Sequence, residues 1–141
     1  MTNAVTKKEV ATNIILDTSY ALVTYDPKLR IGKIEWLAKA NSEEYQNTII
    51  ALMDYADKHT VHYYLTDIIK QSVVSPEDRK WFENIMVPKA VEKGLKKAGV
   101  IFQGNVFKTY YINMILKVTK KLGLPLKLFN NEEDAIKWFL K

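Results

Sequence analysis

Few side chains in this sequence have the types and spacing that chemistry requires. His59 and His62 are its two histidines, and on a helix an H-x-x-H pair could share a metal ion. This pair instead straddles the end of a predicted helix and the start of a predicted strand. No carboxylate stands beside it as one does in H-E-x-x-H. His59 reads as a basic group at a helix C-terminus, where the dipole is negative, and His62 as a strand residue; neither a metal nor a cofactor is expected. Asp67 is the carboxylate best placed for acid–base work. It closes a predicted central strand, and α/β sheets gather ligands at the carboxyl ends of their strands. An aspartate in that position also closes turns through its own side chain, which is the plainer reading of Asp67. Ser72 and Ser75 have no histidine and acid at a spacing that would activate a hydroxyl. Ser75, followed by Pro76, explains itself as a helix N-cap, and phosphorylation there would remove the cap. Asp67, Ser72 and Ser75 are therefore grouped as a candidate ligand or switch region, with no catalytic residue assigned and no enzyme expected. An enzyme working through Asp67 is kept as a remote alternative.

The sequence contains no cysteine, which removes disulfides, thiolate nucleophiles and cysteine-held zinc or iron–sulfur sites. No glycine-rich phosphate loop is present either. Gly104-Asn105 offers free N–H groups ahead of a long helix, a generic anion site, although a turn with Asn105 as N-cap accounts for the pair. The aromatic residues carry more information. Tyr63-Tyr64 and Tyr110-Tyr111 are adjacent pairs, so one member of each should face in and the other out. The predicted helix over residues 105–122 has apolar residues at 106, 107, 110, 111, 112, 114, 115, 116 and 118, which is wider than one amphipathic stripe. Tyr110, Tyr111 and Ile115 are accordingly the candidate residues for a dimer contact or an apolar pocket.

These residues need a frame to hold them. Asn13–Thr18, Ala21–Tyr25 and Ile31–Leu37 are rich in β-branched and apolar residues and read as an antiparallel meander, with Asp26-Pro27 as a turn. Ile31, Lys33 and Glu35 then face one way, and Gly32, Ile34 and Trp36 the other. Asn41 and Glu44 have capping-box spacing ahead of a helix whose apolar stripe is Tyr45, Ile49, Leu52, Met53 and Ala56. Val61–Ile69 predicts a strand buried on both faces. Ser75-Pro76-Glu77-Asp78 predicts a helix start, with Asp78 closing the box and Trp81, Phe82, Ile85 and Met86 on the buried side. Pro88 should break or kink that helix, and Gly94 should end it. A strand at Ala98–Phe102, the long helix stopped by Gly123, a strand at Leu124–Phe129 and a helix capped by Asn130 or Asn131 complete the order. That last helix should bury Ala135, Trp138 and Phe139. The order β-β-β-α-β-α-β-α-β-α predicts an α/β fold with a mixed sheet.

At 141 residues, 48% apolar and 26% charged, the chain has the composition of one ordinary globular domain, expected over residues 13–141 after a short flexible segment at 1–12. No signal-peptide pattern or membrane-length apolar run is visible, so a cytoplasmic location without integral membrane association is expected. The net charge of +5 is uneven. Lys89–Lys127 holds nine lysines against one acid, while Glu35–Glu83 holds nine acids against five bases. The lysines are scattered and no arginine stands among them, which speaks against nucleic acid and for a solvated face or an acidic protein partner.

Several of these residues together resemble the STAS/SEC14-like family of small bacterial proteins related to anti-sigma-factor antagonists. The likeness rests on Ile34-Glu35-Trp36, Ser42-Glu43-Glu44-Tyr45, Asp67 at a strand end and Ser75-Pro76-Glu77-Asp78 with Trp81 behind it. It continues through Gly94 before Ala98-Gly99-Val100 and ends in Glu132-Glu133 with Ala135 and Trp138. The resemblance implies a STAS-like mixed sheet with helices packed on it, and a role in protein–protein signalling or in holding a small or lipid-like ligand. Anti-sigma antagonists carry a phosphorylatable Ser or Thr directly after an Asp. Here Ile68, Ile69 and Lys70 follow Asp67, and Ser72 and Ser75 are the nearest hydroxyls. The leading expectation is a non-enzymatic interaction or signalling module that binds a protein partner or a second copy of itself. The alternative is a carrier of a small apolar or lipid-like ligand.

Overall fold

The computed structural model describes residues 12–104 and 106–141, so the expected flexible segment and the Asn105 cap fall largely or wholly outside the described residues. Six strands form one sheet: β1 (Asn13–Asp17), β2 (Ala21–Asp26), β3 (Ile31–Trp36), β4 (Tyr63–Asp67), β5 (Lys97–Ile101) and β6 (Leu126–Phe129). Their spatial order is their chain order. β1, β2 and β3 pair antiparallel, and β3 through β6 pair parallel, so the expected mixed sheet is the sheet found. Of the expected Val61–Ile69 run, Tyr63–Asp67 is strand.

The helical segments are α1 (Ser42–Tyr55), α2 (Pro76–Trp81), a π-helical turn (Phe82–Met86), α3 (Val87–Glu92), α4 (Val106–Lys121) and α5 (Glu132–Phe139). α1 starts as its sequence requires. Asn41 Oδ1 accepts from the Glu44 N–H at 2.8 Å and Glu44 Oε1 accepts from the Asn41 N–H at 2.9 Å, which satisfies two donors the helix leaves open. Gly94 at φ 101° and Gly123 at φ 72° follow α3 and α4 in the left-handed region, where a Cβ would be strained.

Two details of the second helical segment depart from expectation. Pro88 interrupts the α-helical pattern, as read, without ending the segment. Proline has no N–H for the carbonyl four residues back, and the chain absorbs this with one wide turn in which the Val87 N–H donates to the Phe82 carbonyl. The extra residue rotates the face. Met86 and Val87 stay buried, whereas Ile85, expected on the buried side, is 51% exposed. Asp78 does not close a capping box either. Its N–H donates to Ser75 Oγ at 3.2 Å, but its carboxylate turns to α1, where Oδ1 accepts from Ser42 Oγ at 2.8 Å and Gln46 Nε2 at 2.9 Å. The buried carboxylate thereby joins the starts of α1 and α2.

Crossovers repeated in one direction with one hand place their helices on one face. Ile34, Trp36, Val100 and the buried sides of α1, the α2–α3 segment and α4 form the larger core there. α5 has no strand after it among the described residues and covers the opposite face, where Ala135 and Phe139 pack on Ile31, Leu65 and Ile101. The alternation read in β3 holds, since Lys33 pairs with Glu132 of α5 while Gly32 packs against Leu52 of α1. Trp138, expected to be buried with Ala135 and Phe139, is half-covered, with Lys97 Nζ 5.0 Å above its ring.

Candidate functional site

Between the helix-bearing face of the sheet and its helices lies a chamber of about 120 Å³. Alternation along the strands supplies its floor: Ile34 and Trp36 from β3, Tyr64 and Thr66 from β4, Ala98 and Val100 from β5. Tyr45, Ile49 and Leu52 enter from α1, Phe82, Met86 and Val87 from the α2–α3 segment, and Tyr111, Ile112 and Ile115 from α4. β5 contributes only a methyl group at Ala98.

The wall is apolar apart from a few hydroxyl-bearing side chains, Gln71 and Lys93. Burial pushes the Tyr64 phenol up to about 12, while the nearby Thr66 hydroxyl pulls the other way without reaching hydrogen-bond geometry. Burial raises Tyr111 further and lifts Tyr45 well above its ordinary value. These two phenols face each other, a contact that holds the Tyr45 proton more firmly and eases that of Tyr111. All three phenols are neutral at physiological pH. Tyr45 is fixed by stacking on Trp36 at 5.3 Å and by an edge contact with Trp81 at 6.3 Å.

Among the described residues, three buried side-chain atoms meet no hydrogen-bond partner: Thr66 Oγ1, Arg79 Nε and Glu83 Oε1. Thr66 lies in the chamber wall. Arg79 and Glu83 stand outside it near Tyr111, where Arg79 Nη1 approaches the Met114 sulfur at 3.8 Å. Burial raises the Glu83 carboxyl pKa, and Arg79 partly offsets this.

The residues singled out in the sequence do not converge. Asp67 accepts from the Ile69 N–H at 3.0 Å, the turn closure read for it, and lines neither hollow. Ser72 and Ser75 do come together. With Ser42 and Asp78 they border a second, more polar hollow of about 130 Å³, which shares Trp36, Tyr45 and Gln71 with the chamber. His59 stacks on Tyr55 at 3.9 Å; burial, then Lys96 and Arg30, lower the pKa of His62. No group of three or more metal-ligating side chains forms among the described residues. Of the α4 candidates, Tyr111 and Ile115 line the chamber, while Tyr110 is 64% exposed. Sequence reasoning missed Tyr45, Tyr64 and Thr66 as a set. The spacing reads Tyr45 as a stripe residue and Tyr64 as one of a pair, while strand alternation alone puts Tyr64 and Thr66 on one face.

No protein-family model matches the chain, and no curated protein matches it. Among solved structures, an uncharacterised protein from the DUF3478 family of Shewanella loihica PV-4, with a SpoIIAA-like fold, is similar to it. The match covers 92% of each chain at a TM-score of 0.58 and 17% identity. At that identity the likeness is one of fold, and it agrees with the STAS-like architecture implied by the residues. No helix among the described residues is long and apolar enough to cross a membrane.

Proposed function

We propose that this SpoIIAA-like chain is a non-enzymatic binding module whose chamber receives one small apolar molecule. The chamber itself carries the reading. Protein interiors are packed to crystal density, so about 120 Å³ of apolar space at the centre of the fold is a specific departure from ordinary packing. An engineered apolar cavity of about 150 Å³ in an unrelated protein takes up benzene, which sets the scale at one ring. Among the described residues neither an acid nor a histidine lines the chamber, and its one lysine, Lys93, is paired with Asp57. Residues 13–141 act as one domain in this reading, in the cytoplasm.

The test is native mass spectrometry of gently purified protein beside its denatured mass, repeated on Ala98→Leu. Wild type should carry an extra small mass, or take one up from added toluene, and the filled variant should do neither. A wild-type chain that stays bare with toluene present, or a variant that loads equally well, refutes the proposal.

A second reading, a module that binds a protein or a second copy of itself, draws on exposed Tyr110 and Ile85. Light scattering of wild type beside Tyr110→Glu tests the homodimer form. An identical monomer mass for both counts against it.

A further inference from the structure

We propose that the chamber's ligand is uncharged and carries a single oxygen-bearing polar end, and that this end meets the hydroxyl of Thr66. The inference rests on the chamber being a ligand site. Thr66 stands in a central strand with 8% of its surface exposed, at a position where valine would pack the same shape without a polar atom. Its Oγ1 makes no hydrogen bond of full geometry among the described residues, the neighbouring Tyr64 phenol coming near without completing one. A buried hydroxyl left in that condition is costly, and Thr66 lies in the wall of the chamber. A hydroxyl both donates and accepts, so it can meet an alcohol, a phenol or a carbonyl.

The surroundings decide against charge. An ion brought into apolar walls needs a partner of opposite sign. The phenols of Tyr45, Tyr64 and Tyr111 keep their protons, so they supply no negative charge for a cation. Lys93, the one cation that lines the chamber among the described residues, is paired with Asp57. Glu83 and Arg79 are outside the wall. What remains is a neutral molecule of about one ring in size with an oxygen at the end that meets Thr66.

The experiment titrates the full chain with p-cresol, p-xylene and p-toluate by calorimetry, and repeats this for Thr66→Val and Thr66→Ser. p-Cresol and p-xylene differ by hydroxyl against methyl at nearly constant shape. Wild type should bind both. Thr66→Val should weaken p-cresol about tenfold, the worth of one hydrogen bond, and leave p-xylene within about twofold. Thr66→Ser, which keeps the hydroxyl, should hold p-cresol near its wild-type affinity. p-Toluate should show no binding where p-cresol saturates. Equal changes for p-cresol and p-xylene in Thr66→Val would overturn the assignment to Thr66, as would a water molecule already satisfying the hydroxyl, which produces that same equality. p-Toluate binding as tightly as p-cresol would overturn the neutral ligand. Failure of both p-cresol and p-xylene to bind wild type is a different result: it removes the chamber as a ligand site, and this inference with it.

Discussion

Removing the Asp78 carboxylate should loosen two helices at once. Its Oδ1 accepts from Ser42 Oγ at 2.8 Å and from Gln46 Nε2 at 2.9 Å, and the residue is buried. A hydrogen bond to a charged group contributes about 1.5–3 kcal/mol. Ser42 is exposed and can be rehydrated, so the lower end applies to each bond. Losing an acid from the first turn of α2 adds about 0.3–1 kcal/mol. Asp78→Ala should therefore cost about 3–4 kcal/mol. Asp78→Asn keeps an acceptor at Oδ1 and should cost about 1 kcal/mol, because neutral bonds of the same geometry remain. In urea, with a slope of about 2 kcal/mol/M, the alanine variant's midpoint falls by about 1.5–2 M. Ser42→Ala should cost about 1.5 kcal/mol alone, and much less in the Asp78→Ala background. If Asp78 merely closed a capping box on its own helix, Ser42→Ala would be silent and the two variants additive. Either result, or a cost below about 1 kcal/mol for Asp78→Ala, would refute the bridge between helix starts.

Ile85→Ser should shift the urea midpoint negligibly, whereas Met86→Ala should cost about 2–5 kcal/mol, because the wide turn exposes the first side chain and buries the second. Comparable costs would mean an unbroken α-helical register. Thr66→Val should raise stability by about 1 kcal/mol in the unliganded protein, read by thermal unfolding, because it removes a buried unpartnered hydroxyl. Gly99→Ala places a Cβ 3.1 Å from the Phe139 ring and 3.3 Å from both Leu65 and Phe129, and should cost about 1–3 kcal/mol in the same assay. Glu83 is an acid whose folded-state pKa is raised, so the native state holds more protons than the unfolded one above the ordinary value of 4.5. Stability should thus decline as pH rises through the interval from 4.5 to the raised native value, and Glu83→Gln should flatten that decline in pH-dependent urea melts.

Local rules made much of this fold legible. Asn41 with Glu44, Ser75 with Pro76, and the glycines at 94 and 123 each settle a helix boundary through neighbours a few residues away, and each stands where it was read. Asp67 was equally local, since its turn partner is two residues along. Of the three misreadings, Asp78, Ile85 and Trp138, the first two share a cause. Asp78 finds its acceptor role with Ser42, 36 residues earlier, and no spacing rule reaches that far. Ile85 follows the helical period until Pro88 forces a wide turn that moves it to solvent. The chamber was half visible, as a helix too apolar for one face and as tyrosines in pairs. Its existence depends on how far apart layers sit across Ala98 and Thr66, a property of packing rather than of any residue type.

Because spatial strand order repeats chain order, the sheet can grow vectorially as a nascent chain leaves the ribosome, each new strand docking on the one made just before it. From β3 onward each closure spans a crossover helix, and parallel pairing of that kind is slow to form. The second face is the exception to growth in chain order. Ile31, Leu65 and Ile101 leave the ribosome ahead of residues 132–139, which cover them. During synthesis that apolar face is open to other nascent chains, and a polypeptide halted before α5 would present it permanently, which makes the last helix the element that decides between folding and aggregation.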